Sequence, residues 1–578
     1  MQKSLSTIRH SCAHLLAAAV LDLFPKVKFG IGPAIEEGFY YDFRFEKPIS
    51  EKDLSRIEER MKNLRQKKLE FIKKEVSIEE ARKIFQNQPF KLELISDLQE
   101  EGKRKVSIYQ LGNFTDLCAG PHVKNTLEIG PFKLLSLAGA YWKGDEKNPM
   151  LTRIYGTCFP TKKELEEYLS KKEEAKKRDH IKLGKELNLF SISSEVGPGL
   201  VLWHPKLSIV RQEIEKFWKE IHKKENYLYV YTPHIGKKQL WVRSGHWEAY
   251  REMMYSPMEI EGVEYLLKPM NCPFHVQIYK SQIRSYKDLP IKYCELGTVY
   301  RFEKSGVLHG LMRVRGFTQD DSHIFCRPEQ LKEEINKVLD LSQKIYSVFR
   351  FKDFSYELSV RDLKKKKKYI GREETWQLAE RVLKEILEER KVKYHLGIGE
   401  AKFYGPAIDL KLKDALGREW QCGTIQVDFN FPERFNLTYI DKEGKKQRVV
   451  MVHRTILGTM ERFVGILLEH FAGAFPLWLA PTQMIIIPIT DREISYGEKV
   501  KSILEKEDFR VKIDTRSATT SYKIRSAQLE KIPYMLVVGK REVEEEKIAV
   551  RLRSGKDLGP MPLDQFIRRV KEEIEEKR

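Results

Sequence analysis

Residues 295–323 read ELGTVYRFEKSGVLHGLMRVRGFTQDDSH, and the reading of the fold turns on them. ELGTVYRF alternates as a strand, with Arg301 and Glu303 two apart at its end and therefore on one side. A loop with Ser305, Gly306 and Gly310 follows. MRVRGFTQDDSH then returns as a second alternating strand, with Arg313, Arg315 and Phe317 expected on a shared face. A hairpin with arginines on both arms suits a polyphosphate, because the guanidinium fork pairs with phosphate oxygens two at a time. The competing reading is a surface hairpin with ordinary charges. It accounts poorly for so many Arg, Gln, Asp and His residues among apolar strand positions.

Around this hairpin lie 578 residues, 41% hydrophobic and 33% charged, enough to bury large cores. The formal charge is +20, which points to a polyanionic partner, with a Lys/Glu-rich surface of the hyperthermophile kind as the alternative. The apolar stretch 463–481 is interrupted by Glu469 and His470, so no membrane span is expected. The first ten residues lack the apolar segment of a secretory signal. Seven scattered cysteines in so long a chain fit a reducing compartment, and a cytoplasmic location is expected.

The pattern divides the chain into a multidomain α+β and α/β protein. Residues 1–160 form an α+β unit with helices at 6–24 and 50–68 and strand-like pieces at 91–95, 106–110 and 132–138. Residues 161–189 are a charged linker helix, with no Gly or Pro before Gly184. Residues 190–481 are the largest unit. In 482–578, strands at 484–489, 510–514, 533–539 and 547–553 alternate with helices at 495–506, 522–531 and 563–577, which argues for a small α/β domain with a largely parallel sheet. The run Lys364–Lys368 reads as a solvated loop, with RNA contact as the alternative.

Three stretches carry a resemblance over nearly the whole chain. YRFEKSGVLHGLMRVRGFTQDDSHIF resembles the second signature motif of class II aminoacyl-tRNA synthetases, in the form used by threonyl-tRNA synthetases. Residues 198–233, PGLVLWHPK through YVYTP, resemble the first motif, which in the family builds a homodimer interface. HRTILGTMERFVGI, residues 453–466, resembles the third, with Gly458 and Arg462 on a strand-to-helix element. The resemblance implies a central antiparallel sheet with helices, an activity that ligates L-threonine to threonine tRNA through a threonyl-adenylate, and ATP with Mg2+. It assigns Arg301 to the α-phosphate, Arg313 and Arg462 to the γ-phosphate end, and Phe317 to the adenine face. Glu303, Gln421 and Thr424 would line the nucleotide pocket. Phosphoryl chemistry of this kind needs positioning and charge neutralisation more than covalent help.

One Cys and two His far apart, Cys272 in KPMNCP with His323 and His453, are a weak metal signal by spacing alone. The resemblance makes them the ligands of one Zn2+ with an open position for substrate. Threonine offers a zinc both an amino group and a hydroxyl, whereas isosteric valine lacks the hydroxyl. Met270, Gln319, Asp321, Tyr404 and Gln426 complete the implied threonine pocket. FYGPAIDL carries Ala407 where many family members place a lysine.

Serine lacks only a methyl, a difference of about 1–3 kcal/mol, so a second sieve is expected. RHSCAHLL places His10 and His14 on one helix face, and DLCAGPH spaces Cys118 and His122 alike. On the residues alone the set reads first as a metal site. The resemblance is to the editing domain of bacterial threonyl-tRNA synthetases, where such residues act with water on seryl-tRNA. His10, His14, Cys118 and His122 are therefore assigned to editing, with Asp116 contacting the serine and Lys91 assisting. Family members usually carry a ubiquitin-like domain before this one, and the sequence starts directly at the editing helix. The last 95 residues resemble an anticodon-binding domain, with Ser517, Glu542 and Arg551 at contact positions and Arg516, Lys523 and Arg525 available to phosphate.

Overall fold

The computed structural model describes residues 4–578, apart from the side chains of Lys366 and Lys367. The middle of the Lys364–Lys368 run and the first three residues of the 1–160 unit therefore lie outside the described residues. The chain divides into two compact units, Met1–Glu173 and Glu174–Arg578.

In the first unit the helix Leu5–Leu23 starts at Ser4, whose hydroxyl accepts the Thr7 N–H. Ala13, Ala17 and Ala19 let it lie close against the strands Gly38–Arg44 and Met150–Cys158, the latter paired with Phe132–Tyr141, and Phe39, Tyr41, Phe43 and Ile154 fill the layer between. A second, three-stranded sheet orders Ile72–Ser77, Lys105–Leu111 and Phe114–Leu117. The expected strand at 91–95 is instead part of the helix Pro89–Glu100. Pro89 at its first turn has no N–H to lose, and Phe90, Leu94 and Leu98 recur at four-residue spacing.

The second unit holds an eight-stranded sheet in the order Leu228–Tyr229, Ile291–Tyr300, Gly316–Cys326, Val450–Thr455, Glu419–Asp428, Ala407–Lys413, Phe354–Val360 and Tyr394–Ile398. Its inner pairs are antiparallel and the two edge pairs parallel. The register sets His323 opposite His453, and His453 opposite Gln426. Directly opposed residues share a face and alternate along each strand, so Phe317, Gln319, Asp321 and His323 point with Thr424, Gln426 and His453. The other face packs on the helices Pro205–Lys224 and Leu331–Val348 in the largest core. Asp320, on that buried face, accepts from Trp218 Nε1 at 2.6 Å, Arg454 at 3.0 Å, and the N–H groups of Ile456 and Leu457 at 2.8 Å. One carboxylate thus ties together segments from all three motif-like stretches.

Two local expectations differ. The return strand begins only at Gly316, so Arg313 and Arg315 do not share a face. Arg313 is exposed, and Arg315 is buried over the Phe302 ring with its Nε on the Glu303 carbonyl at 2.9 Å. The linker is two helices, Lys162–Arg178 and His180–Glu186, broken where the Asp179 side chain caps the second by accepting the Lys182 N–H.

Toward the C-terminus, the sheet order is Val511–Ile513, Met484–Pro488, Tyr534–Val538, Lys547–Leu552 and Asp557–Pro562. Two pairings are parallel and two antiparallel, so this sheet is mixed where a largely parallel one was expected. Ser-Gly at 554–555 forms a tight hairpin turn, with the Gly555 N–H on the Leu552 carbonyl, and it sends the last strand back antiparallel. Among the described residues no helix is long and apolar enough to cross a membrane.

Candidate active site

The shared face of the eight-stranded sheet floors a cavity of about 470 Å3. Cys272, His323 and His453 line it, as do all the residues that the sequence assigned to ATP or threonine: Arg301, Glu303, Arg313, Phe317, Gln421, Thr424 and Arg462, with Met270, Gln319, Asp321, Tyr404 and Gln426.

Cys272 enters on the first turn of the helix Cys272–Lys280, while the two histidines come from neighbouring strands. Their ligand atoms lie within 4.8 Å of one another, all three side chains buried. Carboxylates stand behind the rings: His453 Nε2 lies 2.9 Å from Asp428 Oδ2, and His275 Nε2 lies 3.1 Å from Glu295 Oε1. His275 Nδ1 lies 2.8 Å from His323 Nδ1, and His323 Nε2 faces His453 Nδ1 at 3.0 Å. Burial pushes the Cys272 thiol well up, Asp321 and Asp428 adding to it, and holds His323 well below its usual range. A buried thiol, two converging imidazole rings and nearby carboxylates are the donor set of a zinc-type cation, with carboxylates orienting the rings from behind.

Elsewhere on the lining Arg301 reaches the Pro269 carbonyl at 3.2 Å and lies 5.2 Å from the Phe317 ring. Arg313 pairs with Glu303 at 2.9 Å. Arg462, on the helix Met460–His470, is steadied by the Met312 carbonyl at 3.0 Å. Gln421 Nε2 and Thr424 Oγ1 both donate to Asp409 Oδ1 at 2.6 Å, and Ser359 donates to its other oxygen at 2.7 Å. The geometry offers arginines for phosphate and an aromatic face together with a polar, metal-suited pocket.

In the first unit His10, His14, Cys118 and His122 converge, with ligand atoms within 4.8 Å of one another. The Ser11 hydroxyl donates to the Thr7 carbonyl, so His122 Nδ1 donates to Ser11 Oγ at 3.1 Å and its Nε2 is bare. That Nε2 and the Nε2 of His10 each lie 3.4 Å from Cys118 Sγ. Phe71 stacks on the His122 ring, 5.0 Å between centroids. Burial holds His10 below its usual range, His14 well below it and His122 at about 2, and pushes Cys118 up to about 11. All four groups are therefore neutral near pH 7. Asp116, expected to contact substrate, is instead 2% exposed and engaged by Tyr41 at 2.6 Å, by Lys91, and by His14 at 3.3 Å. In this geometry it orients His14. Lys91 neutralises it from within the Pro89–Glu100 helix.

Family models match three segments of the chain: the tRNA synthetase class II core domain over residues 257–471, the anticodon binding domain over 483–573, and the threonyl and alanyl tRNA synthetase second additional domain over 106–155. A threonine–tRNA ligase of Dehalococcoides mccartyi (strain CBDB1) is 55% identical over 562 residues, 97% of this chain and 95% of that one. One of Borreliella burgdorferi (strain ZS7) is 50% identical over 573 residues, 98% and 97% of the two chains.

The chain belongs to the threonine–tRNA ligase family.

Solved structures agree. An RNA binding domain of threonyl-tRNA synthetase from Cryptosporidium parvum superposes with TM-score 0.65 at 40% identity, covering 68% of this chain and 98% of that one. A threonyl-tRNA synthetase of Aeropyrum pernix gives TM-score 0.62 at 31% identity, covering 69% and 96%. As a threonine–tRNA ligase, the chain joins threonine to tRNA at the expense of ATP and carries the editing domain that removes mischarged serine.

Two residues of this ligase escaped the sequence. His246 lines the cavity, its Nε2 3.8 Å from Cys272 Sγ, and burial holds it at about 3. Asp409 sets Gln421 and Thr424. A lone His at the start of the short helix His246–Tyr250 and an Asp in an apolar strand carry no spacing signal. In the anticodon-binding segment, Ser517 is exposed in the loop before the helix Thr520–Leu529. Glu542 turns back to cap its own helix by accepting the Gly539 N–H at 2.9 Å. Arg551 pairs with Asp557 at 2.7 Å and sits opposite Met535, near the start of the Tyr534–Val538 strand, whereas Glu542 follows that strand's other end. The register therefore sets Arg551 and Glu542 apart. Lys523 is buried with its Nζ on the Pro488 carbonyl, which removes it from the residues free to meet phosphate.

Proposed function

We propose that the cavity performs threonine activation with a zinc held by Cys272, His323 and His453. The observation that carries this reading is the buried cluster of Cys272, His323 and His453, whose ligand atoms lie within 4.8 Å of one another, with His323 Nε2 and His453 Nδ1 3.0 Å apart. Bound there, zinc would act as a Lewis acid toward the amino and hydroxyl groups of threonine, a pairing valine does not offer. Asp321, Gln319, Gln426, Tyr404 and Met270 shape the pocket around those groups. Arg301 neutralises the α-phosphate as the threonine carboxylate attacks it, and Phe317 stacks on adenine. Arg313 and Arg462 hold the far phosphates of ATP bound with Mg2+. Gln421, Thr424 and Glu303 line the nucleotide side.

In the first unit, neutral His10 and His122 are placed to take a proton from water attacking the seryl ester, with Cys118 between them and His14 behind. A domain division at 1–160, 161–189, 190–481 and 482–578 follows these functions, with Ser517, Glu542 and Arg551 read as anticodon contacts. Exposed Leu228, Tyr229 and Tyr231 along the edge of the sheet support a homodimer through this face.

The test is ATP–pyrophosphate exchange with threonine, serine and valine on the parent and on Cys272→Ser. Threonine above serine, negligible valine, and collapse in the variant together with loss of bound zinc support the reading. Valine exchange comparable to threonine, or full activity without zinc, refutes it.

A further inference from the structure

The cations inside the cavity are already committed. Arg301 is on the Pro269 carbonyl, Arg313 on Glu303, and Arg462 on the Met312 carbonyl. Lys402 is different. It lines the same cavity, its side chain is exposed, and among the described residues its ammonium has neither a hydrogen-bond nor an ion-pair partner. Its backbone is fixed by a tight turn bridging Lys402 and Gly405, just before the Ala407–Lys413 strand.

The lysine run lies against this turn. The Ile370 N–H donates to the Phe403 carbonyl at 2.8 Å, and Lys368 Nζ donates to the Gly399 carbonyl at 3.0 Å. Lys364 and Lys365 are exposed on the same segment. Between residues 362 and 372 the one carboxylate is Asp362, which is turned to the Lys364 N–H at 2.9 Å. Lys402 on the cavity lining and exposed Lys364 and Lys365 on the adjoining segment therefore gather positive charge, with Lys368 tied to the Gly399 carbonyl between them.

We infer that Lys402, with Lys364, Lys365 and Lys368, binds the phosphates of the tRNA acceptor strand as its 3′ end enters the cavity. This rests on the cavity being the aminoacylation site. ATP is compact and its phosphates meet the arginines inside. A nucleic-acid strand delivering a terminal ribose to the same cavity must lay successive phosphates across the rim, where exposed lysines act as sequence-independent contacts.

The experiment compares the parent with Lys402→Ser and with Lys364→Ser, Lys365→Ser and Lys368→Ser combined. It measures aminoacylation against tRNA concentration at several salt concentrations, and threonine-dependent pyrophosphate exchange without tRNA. Each variant is expected to raise the KM for tRNA, the combined one about tenfold near 0.1 M salt. The slope of log(kcat/KM) against log salt is expected to become shallower by about 0.7 for each phosphate that a lysine no longer neutralises. Arginine at the same positions is expected to restore both. An unchanged KM and slope overturn the inference. So does a fall in exchange with tRNA KM unchanged, which would assign the lysines to ATP. A parent that fails to exchange pyrophosphate with threonine shows instead that the cavity reading is wrong, before any variant is compared.

Discussion

His180 joins Glu469 to the loop of the second motif: its Nδ1 lies 2.7 Å from Glu469 Oε1, and its Nε2 accepts the Leu311 N–H at 3.0 Å. The ring is fully buried, and Gly310 passes so close that a Cβ there would stand 2.1 Å from Nε2, at a φ of +47° that also favours glycine. The second Glu469 oxygen is held by Arg418. The linker helix is thus clamped to the end of the third-motif helix and to the loop that presents Arg313. His180→Ala leaves the buried Leu311 N–H without its acceptor, at about 1–3 kcal/mol, while Glu469 keeps the residue-180 backbone N–H and Arg418. The expected result is a lower Tm and a KM for ATP raised about tenfold, with the KM for threonine changed much less. A lower Tm with an unchanged ATP KM would reduce His180 to a packing residue.

The ring orientations in the metal-suited pocket depend on Asp428 and on the His275–Glu295 pair. Substitution of groups behind the ligands weakens metal binding by about 10–100-fold in comparable sites. Asp428→Asn and His275→Ala are expected to lose zinc to a chelator at correspondingly lower concentrations, and to raise the KM for threonine while leaving that for ATP within about twofold. Zinc affinity equal to the parent in both variants would remove the orienting role.

Much of this is legible in the sequence because it rests on period-two alternation. Phe317, Gln319, Asp321 and His323 are spaced by two, so a strand puts them on one face, and the cavity assembles there. Pairing is what alternation cannot supply. That His453 stands opposite both His323 and Gln426 follows from a strand arriving some 130 residues later and inserting between two others. Nor does alternation tell where a strand begins. Arg313 and Arg315 continue the pattern but lie in the turn, where Arg315 is held to the Glu303 carbonyl. Residues 91–95 mislead because five apolar and charged residues fit either period, and Pro89 decides it. Asp116 reads as a contact to the serine because sequence does not show that Tyr41 and Lys91 enclose it.

Burial of the editing histidines fixes the sign of a pH effect. Desolvation holds His122 at about 2 and His14 well below its usual range, so the folded unit stays unprotonated where the unfolded chain takes up protons near 6.5. Stability that is complete above about pH 6.5 is therefore lost as the pH falls further. Thermal melts of the full chain are expected to show the first unit weakening between pH 6.5 and 5, and His122→Gln to reduce that slope. Seryl-tRNA deacylation is expected to show no acid limb near 6.5, because the catalytic rings remain neutral there. A limb at 6.5 that His122→Gln abolishes would contradict the burial argument.

Glu461 provides the opposite case. It precedes Arg462 on the third-motif helix, is 3% exposed, and accepts the Thr318 N–H at 2.9 Å. Burial pushes it up to about 7. Below about pH 4.5 the carboxyl is protonated in both folded and unfolded chains and costs nothing. As the pH rises toward 7 the unfolded chain ionises first, so folded stability falls by an amount reaching about 3 kcal/mol at most, and above 7 the penalty is constant. Glu461→Gln keeps an oxygen for the Thr318 N–H and removes the ionisation. The variant is expected to match the parent in denaturant midpoint near pH 4.5 and to exceed it by pH 8, with the difference growing across that window. A difference that does not change with pH would mean that Glu461 is ionised throughout, held so by Arg211 at 3.8 Å.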